Sequence, residues 1–449
     1  MWERLRSIWT VPDLRNKILF TLGMLLIFRI LAHVTVPLSP QEHQKLATLF
    51  GGSSPNKDLG QLLGLLDVFS GGSLRTFSIV ALGVYPYITA TIVMQLLGPI
   101  IPALHKLQTE GGEAGRMRFN QIQRIVAVPL AFLQALGQSA IFVQEGVLDQ
   151  NTFNLFGPNW LETLAILLSL TAGTMILVWL GELITEKGIG NGISLIIFAG
   201  IVSGIPALIT QGWQATTSTA GSGGGYISVL LLIIVGLITI VGIVYIYQGQ
   251  RRVPVQYPTK RMVGRGMLVG SAQTTYIPMQ VNSAGMIPLI FAQSMLIFPA
   301  VLSRYLATSD VKWLSASALW IATYLANTTL WYYWAIFFLL VFAFTYFYAY
   351  VVWQQQNIPE SLQKQGAFIP GYRPGEPTSR YMYTILNRIT LGGALFLAIV
   401  AILPFFTKVG AGTQLLSAAS LLIVVGVVLD TLRQLEAQMV MRNYSGFLS

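Results

Sequence analysis

The sequence predicts an all-α polytopic membrane protein with ten transmembrane helices, and two observations support that fold class. The mean hydropathy of the 449 residues is +0.64 and only 10% of them are charged, whereas a soluble domain of this length needs far more charge. In addition, the pattern GxxPxIxA occurs twice, as GVYPYITA at 83–90 and as GMIPLIFA at 285–292, each time inside a long apolar stretch.

Ten apolar stretches are candidates for membrane-spanning helices. They are residues 17–37, 77–101, 121–142, 161–180, 189–210, 226–248, 284–303, 331–353, 385–405 and 412–432. Each GxxPxIxA segment lies in the second span of a group of five. Glycine and proline at matching places in two halves point to the working site of a membrane protein, because they make a span easy to bend or part. Two ordinary kinked spans with a chance similarity are the alternative.

The basic residues predict the orientation of these spans. The termini and the segments between spans that lie on one side of the membrane hold most of the basic residues. With the span-end residues Lys17, Arg124 and Arg388 included, this side has 20 of the 27 Lys and Arg residues. The positive-inside rule therefore places both termini in the cytoplasm. The charged, amphipathic start runs directly into the first span, so we expect no removable signal peptide.

An apolar run between the first two spans, within 59–77, is too short to cross a bilayer. Gly71 and Gly72 interrupt it before the second span. The segment at about 60–74 is either a re-entrant helix, hinged at 70–73, or an interfacial helix lying on the membrane. For a re-entrant helix we expect Asp67 to face an outer aqueous funnel, because a buried carboxylate is costly unless it is paired.

Aliphatic pairs at i, i+4 spacing mark one face of two spans. Val84 and Ile88 form such a pair in the second span, and Ile193 and Ile197 form one in the fifth. The turn before the fifth span, 181–194, contains a GxGxG sequence. No strand precedes it, so it does not predict a nucleotide site.

Two cytoplasmic loops are long, 249–283 and 354–384. The first has no acidic residue and carries five basic ones: Arg251, Arg252, Lys260, Arg261 and Arg265. The second holds Arg373 in a proline-stiffened stretch. These loops are typical of a docking surface for an acidic or RNA-rich partner; the alternative is that they only enforce topology.

The chain lacks the residues on which catalysis and ion-coupled transport usually depend. Span interiors hold almost no ionisable group beyond Arg29, whereas ion-coupled carriers usually keep a carboxylate or histidine at the midplane. Cysteine is absent and the three histidines form no metal set. We therefore expect no enzyme activity, no cofactor and no metal. An inverted-repeat small-solute transporter and a structural membrane assembly factor remain the competing classes.

Four long segments and the tail resemble the SecY family, the channel subunits of the Sec translocon. They are 69–97 (FSGGSLRTFSIVALGVYPYITATIVMQLL), 184–201 (ITEKGIGNGISLIIFAGI), 277–299 (IPMQVNSAGMIPLIFAQSMLIFP), 366–404 and the tail 430–448. The resemblance implies two inverted five-helix halves, 1–210 and 211–449, and a channel that passes unfolded polypeptide and releases apolar segments sideways into lipid.

The resemblance also implies roles for individual residues. A pore ring maps onto Val84, Ile88, Ile193, Ile197, Ile290 and Ile423. Polar residues of a lateral gate between the second and seventh spans map onto Thr89, Gln95, Asn191 and Asn282. The short outer segment matches the family's plug and contains Leu63, Leu66, Asp67, Phe69, Gly71 and Gly72.

The resemblance implies partners that supply the driving force, because the chain has no nucleotide-binding motif. SecE and SecG are the expected companions in the membrane. The SecA ATPase and the ribosome are expected at the cytoplasmic loops and at Arg373. The substrates would be secretory and membrane polypeptides, the surroundings membrane lipid, and the location the bacterial plasma membrane.

Overall fold

The structure is a computed structural model of the chain. It describes residues 12–36, 41–42, 44–46, 67, 70–98, 100–109, 112–144, 146–148, 153, 160–218, 225–263, 267–307, 312–324, 330–356, 358–411 and 418–445. The described chain is mainly helical. The predicted plug residues Leu63, Leu66 and Phe69 and the loop residue Arg265 lie outside the described residues.

Helices of the first half follow the apolar stretches of the sequence. They are α1 (Pro12–Leu31), α2 (Tyr85–Leu97), α3 (Pro102–Thr109), α4 (Gly112–Gln144), α5 (Trp160–Lys187) and α6 (Gly192–Ser218). The helices α4, α5 and α6 are longer than the apolar stretches 121–142, 161–180 and 189–210, because polar residues at their ends continue the helix beyond the apolar core.

The second half contains helices and one pair of strands. The elements are α7 (Gly225–Gln248), β1 (Gln250–Val263), β2 (Met267–Gln280), α8 (Ile287–Ala307), α9 (Lys312–Tyr324), α10 (Trp331–Gln356), α11 (Ile358–Lys364), α12 (Glu376–Ala411) and α13 (Ala418–Ser445). Four described helical stretches are long and apolar enough to cross a membrane: Gly112–Val143, Trp160–Lys187, Trp331–Lys364 and Glu376–Phe406. The polytopic helical fold is therefore confirmed, while the count of ten spans stays a prediction.

The β-hairpin is a structural element that the span pattern did not predict. Strands β1 and β2 pair antiparallel, from Gln250 with Gln280 to Val263 with Met267. The loop 249–283 is thus largely an ordered ribbon. Its base packs into a small core through Val253, Val255 and Met279, and these residues alternate with exposed ones as a half-buried strand requires.

The twin GxxP patterns mark helix starts. Gly83 and Gly285 have φ values of 60° and 64°, a left-handed conformation that glycine adopts at little cost. In both places the helix begins two residues later, at Tyr85 and at Ile287. The proline then falls in the first turn, where its missing N–H is harmless. The predicted second span, 77–101, is therefore only partly helical, since turns occupy 71–84.

A large hydrophobic cluster joins the two halves. It contains residues from α1, α2, α5 and α6 of the first half and from α7, α8, α10, α12 and α13 of the second. Direct contacts between the halves run from α2 and α4 to α8, and from α6 to α7 and α13. The pair α2 and α8, which carry the repeated pattern, thus meet at the seam between the halves.

Close backbone packing fixes the turn segment before α2. Gly173 of α5 lies directly against the backbone of Ile79 and Val80, so that a methyl group on it would overlap the Ile79 carbonyl. A larger side chain at position 173 would have to push the backbone of Ile79 and Val80 away. Glycine therefore allows α5 to approach the turn segment closely.

Gly173→Ala is expected to destabilise the protein by about 1–3 kcal/mol, the usual effect of overpacking a tight contact. The measurement is the thermal unfolding midpoint of the purified protein in detergent. Gly236→Ala in α7 is the matched control, because a methyl group there meets nothing within 4 Å. Equal midpoints for the two variants would contradict the proposed contact.

Candidate functional site

The six aliphatic residues of the predicted ring all belong to one large hydrophobic cluster or pack against it, and their convergence on one constriction stays a prediction. Val84, Ile88, Ile197, Ile290 and Ile423 are buried members of the cluster that joins the halves, and Ile193 is half-buried against it. They come from four places: the start of α2, α6, α8 and α13. The two halves thus contribute side chains of one type to a shared apolar centre.

The polar residues assigned to a gate divide into two groups. Thr89 and Asn282 are buried and Gln95 is half-buried, and all three lie on α2 or just before α8, the helices that contact each other. Thr89 donates to the Tyr85 carbonyl at 3.1 Å. Asn191 is instead exposed at the start of α6, where its side-chain oxygen accepts from the Ser194 N–H at 3.3 Å, as a helix N-cap does.

Asn282 holds the turn that precedes α8. Its side-chain amide donates to the Gly285 carbonyl at 3.0 Å. Its amide oxygen, and that of Gln95, are buried without a hydrogen-bond partner among the described residues. Unpaired buried acceptors are costly, so the α2–α8 seam has acceptors that an incoming donor could satisfy.

The segment at 70–73 is anchored from two helices. Arg29 of α1 donates through Nη1 to the Gly71 carbonyl at 2.8 Å and to the Ser203 hydroxyl at 3.3 Å. Ser203 of α6 donates to the same carbonyl at 3.2 Å. Gly71 itself has φ of 75°, and a methyl group on it would come within 2.8 Å of the Gly200 Cα. This anchor gives Arg29, which lies in the interior of the first span, the polar partners that an intramembrane arginine requires.

Asp67 does not face water, and the expectation that it would is wrong. The residue is 3% exposed, and its carboxylate pairs with the Arg75 guanidinium, Nε to Oδ2, at 2.5 Å. It also accepts from the Arg75 backbone N–H at 3.1 Å. Burial raises the pKa of the Asp67 carboxyl, although Arg75 opposes that shift. The sequence reasoning missed the partner eight residues away, which allows the charge to be buried.

Backbone hydrogen bonds hold the rest of the turn segment in place. The Gly72 N–H donates to the Asp67 carbonyl at 2.8 Å, and the Ile79 N–H to the Val34 carbonyl at 2.9 Å. In return, the Val36 N–H donates to the Phe77 carbonyl at 3.0 Å. The segment between the predicted plug and α2 is therefore tied to the end of α1.

The two predicted docking loops form one structure. The Gln256 N–H donates to the Phe368 carbonyl at 2.9 Å, and the Phe368 N–H donates back at 3.0 Å. Arg251 and Arg252 are exposed at the base of β1, where Lys260 and Arg261 lie further along the strand. Arg373 is exposed on the adjoining loop. Its backbone carbonyl accepts a hydrogen bond from the Thr378 hydroxyl at 2.8 Å.

The sequence contained a signal for this hairpin. Valines alternate with other residues at 253–255, and the run 274–281 is rich in β-branched and aromatic residues. Glycines flank Arg265 between the two runs, a pattern typical of hairpins. The charge and the length of the loop, on which the docking prediction rests, do not reveal this alternation.

Comparison with known proteins identifies the family. The SecY family model matches residues 78–432. The chain is 41% identical over 456 residues to the protein translocase subunit SecY of Halalkalibacterium halodurans, covering 100% of both chains. It is 40% identical over 445 residues to that of Mycobacterium tuberculosis (strain ATCC 25618 / H37Rv), covering 97% of each.

A solved structure described as that of a protein-conducting channel has the same fold. It matches with a TM-score of 0.63 at 17% sequence identity, covering 94% of this chain and 92% of that chain. The family match over most of the chain, the full-length relatives and the shared fold agree with the segments on which the resemblance was based. The chain therefore belongs to the SecY family.

Proposed function

We propose that the chain is the channel subunit of a Sec translocon, which passes unfolded polypeptides across the plasma membrane of a bacterium and releases apolar segments sideways into lipid. The observation that carries this proposal is the apolar centre between the halves, to which α2, α6, α8 and α13 contribute ring residues. Relatives of matching length that are named protein translocase subunits support the same function. The chain needs no catalytic group for it, because partners supply the driving force.

The proposed ring would act through its chemistry and size. Branched aliphatic side chains form no directional bonds, so they can close around a moving chain of any sequence without binding it tightly. An apolar constriction also opposes the passage of ions by dewetting. Such a ring would allow polypeptide transport while limiting leakage. The small-solute transporter is not favoured, because relatives of matching length are named protein translocase subunits.

The proposed lateral gate is the seam between α2 and α8. A glycine with positive φ lies two residues before each helix, so each can change its direction at that point. Opening the seam would expose apolar surface that an apolar substrate segment could cover. The buried acceptors of Asn282 and Gln95 would then be available to donors of the passing chain.

The proposed plug would be held shut by the anchor at Gly71. The Arg29 and Ser203 contacts reach the chain at 70–73, where a Ser-Gly-Gly-Ser sequence provides a hinge. The ion pair between Asp67 and Arg75 would keep the adjoining charge neutralised while the segment is seated. Displacing the segment would exchange these contacts for water.

The proposed docking platform consists of the β-hairpin and the loop at Arg373. Their mutual hydrogen bonds make them one body, with exposed arginines at 251, 252 and 373. We assign the SecA ATPase and the ribosome to this platform, and SecE and SecG as companions in the membrane. The excess of basic residues on this side supports cytoplasmic termini.

A stalled secretory chain should crosslink to the ring. The protein has no cysteine, so Ile290→Cys introduces a single thiol at the proposed constriction. A disulfide with a cysteine of the stalled chain requires the two Cα atoms to approach within about 7 Å. Leu237→Cys, on the 60% exposed side chain of α7, should give no such product. Equal yields at the two positions would count against the pore.

Arg373→Glu should impair transport while leaving membrane insertion of the channel intact, because it reverses a charge on the proposed docking surface. The measurement is the export rate of a secretory protein into vesicles. Lys312→Glu makes the same charge change on an exposed residue of α9, outside both proposed docking loops, and should have little effect. Unchanged export by the Arg373 variant would exclude this arginine from docking.

Gly71→Ala should raise the resting ion conductance of the channel in planar bilayers. The added methyl group would collide with Gly200 and Phe28, which line the seat of the segment. Gly72→Ala is the control, because it has the same strained backbone, with φ of 79°, but open space around the added group. If both variants conduct alike, steric seating of Gly71 does not hold the seal.

A further inference from the structure

Three polar side chains meet at the end of α7. The Tyr247 hydroxyl donates to the Asp430 carboxylate, Oη to Oδ2, at 3.1 Å. Arg433 donates through Nη2 to the Tyr247 backbone carbonyl at 2.8 Å, and its guanidinium carbon lies 5.5 Å from the centre of the Tyr247 ring. Asp430 and Arg433 both belong to α13 and lie about one turn apart. The last helix therefore holds Tyr247 by its tip, its ring and its backbone.

The Tyr247 hydroxyl lies between two glycines. A methyl group built on Gly285 would lie 3.3 Å from the hydroxyl oxygen, and one built on Gly426 of α13 would lie 3.4 Å from it. Gly285 is the glycine with φ of 64° that precedes α8. The tip of the tyrosine thus fills the space between α13 and the point where α8 can change its direction.

The polar tip of Tyr247 is buried together with its acceptor. Tyr247 is 5% exposed, and a buried tyrosine hydroxyl usually needs a hydrogen-bond partner. Asp430 is half-buried, and its carboxylate is the kind of acceptor that makes a strong bond. A phenylalanine would fill the space of the ring equally well. What the hydroxyl adds is a fixed position for the tip beside Gly285.

The chain enters and leaves the β-hairpin at the same place. Strand β1 begins three residues after Tyr247, and β2 ends five residues before Gly285. The two ends are joined by the Val281 N–H, which donates to the Gly249 carbonyl at 2.9 Å. Asn282 then closes the turn by its bond to the Gly285 carbonyl. A short hydrogen-bonded path therefore connects the base of the hairpin with the tip of Tyr247.

We propose that Tyr247 is a positioning residue of the lateral gate, whose hydroxyl, fixed by Asp430, holds the hinge at Gly285 and thereby favours the idle, closed channel. A change in the direction of α8 at Gly285 alters the space in which the hydroxyl lies, so the tip has to move and its bond to Asp430 has to break. We call Tyr247, Asp430 and Gly285 the hinge latch. This inference rests on the proposed function, because it assigns a role to the hinge of the proposed gate.

A purely structural role for these residues makes a different prediction. A bond that only stabilises the bundle would, when it is removed, lower the thermal midpoint and reduce the export of every substrate. A latch that opposes opening would, when it is removed, make opening easier. The two roles therefore change export in opposite directions.

The latch is tested with Tyr247→Phe, which removes the hydroxyl and keeps the ring. The channel, purified with its membrane partners, is reconstituted in vesicles, and export is measured for one secretory protein with and without its apolar signal segment. The form without the segment has nothing to insert into the seam, so its export depends on spontaneous opening. The variant should raise that export about tenfold, the factor that one hydrogen bond to a charged group represents, and should leave export of the intact form unchanged.

Tyr245→Phe is the matched control, because it makes the same change two residues earlier on a side chain that is 79% exposed. It should leave the export of both forms unchanged. No gain with Tyr247→Phe, or an equal gain with the control, would overturn the hinge latch and leave the proposed function standing. A parent channel that exports neither form would overturn the proposed function and the latch with it.

The partner of the hydroxyl is tested at Asp430. Asp430→Ala removes the acceptor and should give the same gain as Tyr247→Phe. Combining the two changes should give no further gain, because both remove one bond. Asp430→Asn keeps an acceptor oxygen and should give a smaller gain than Asp430→Ala. Gains that multiply in the double variant would show that the two residues act separately, which contradicts the latch.

The direction of α8 is measured without any substrate. Spin labels are attached at Leu133→Cys on α4 and at Met295→Cys on α8, since the chain has no other thiol. These side chains are 40% and 48% exposed, and the two helices contact each other across the halves. In the idle channel, Tyr247→Phe should add a population with a longer distance between the labels, whereas Tyr245→Phe should not. Identical distance distributions in the parent and the Tyr247 variant would refute the latch.

Discussion

The structure depends on one constraint, the need of every backbone N–H and C=O in a membrane to find a partner within the protein. The segment 71–84 is irregular and lies between membrane helices, so helix geometry cannot satisfy it. Its partners are the end of α1, through Val34 and Val36, and the side chains of Arg29 and Ser203. The short turn before α8 meets the same need with the Asn282 amide. The working parts of the protein are therefore the places where the backbone needs outside partners.

The same constraint explains why charges occur where they do. Arg29 and Asp67 are costly near lipid, and each is matched: Arg29 to the Gly71 carbonyl, and Asp67 to Arg75. Both pairs are placed around the hinge glycines. If the segment moves as proposed for a plug, these partners have to separate.

On the basic side of the protein, the hairpin changes how the arginines can act. Two loops that are far apart in the sequence share a ladder contact at Gln256 and Phe368 and a common core. A partner that pulls or pushes on one of them therefore loads the other.

The sequence by itself determined the helical membrane fold and the repeated GxxP pattern, because hydropathy and motif are local properties of the chain. The ring residues stay a prediction. It could not determine that each GxxP pattern begins a helix, since proline is compatible both with a first turn and with a kink. It also could not determine the pairing of Asp67 with Arg75, the anchoring of Gly71 by Arg29 and Ser203, or the joining of the hairpin to the Arg373 loop. These are contacts between separate segments, and only the tertiary structure decides them, because many pairings are compatible with the same pattern until the chain is packed.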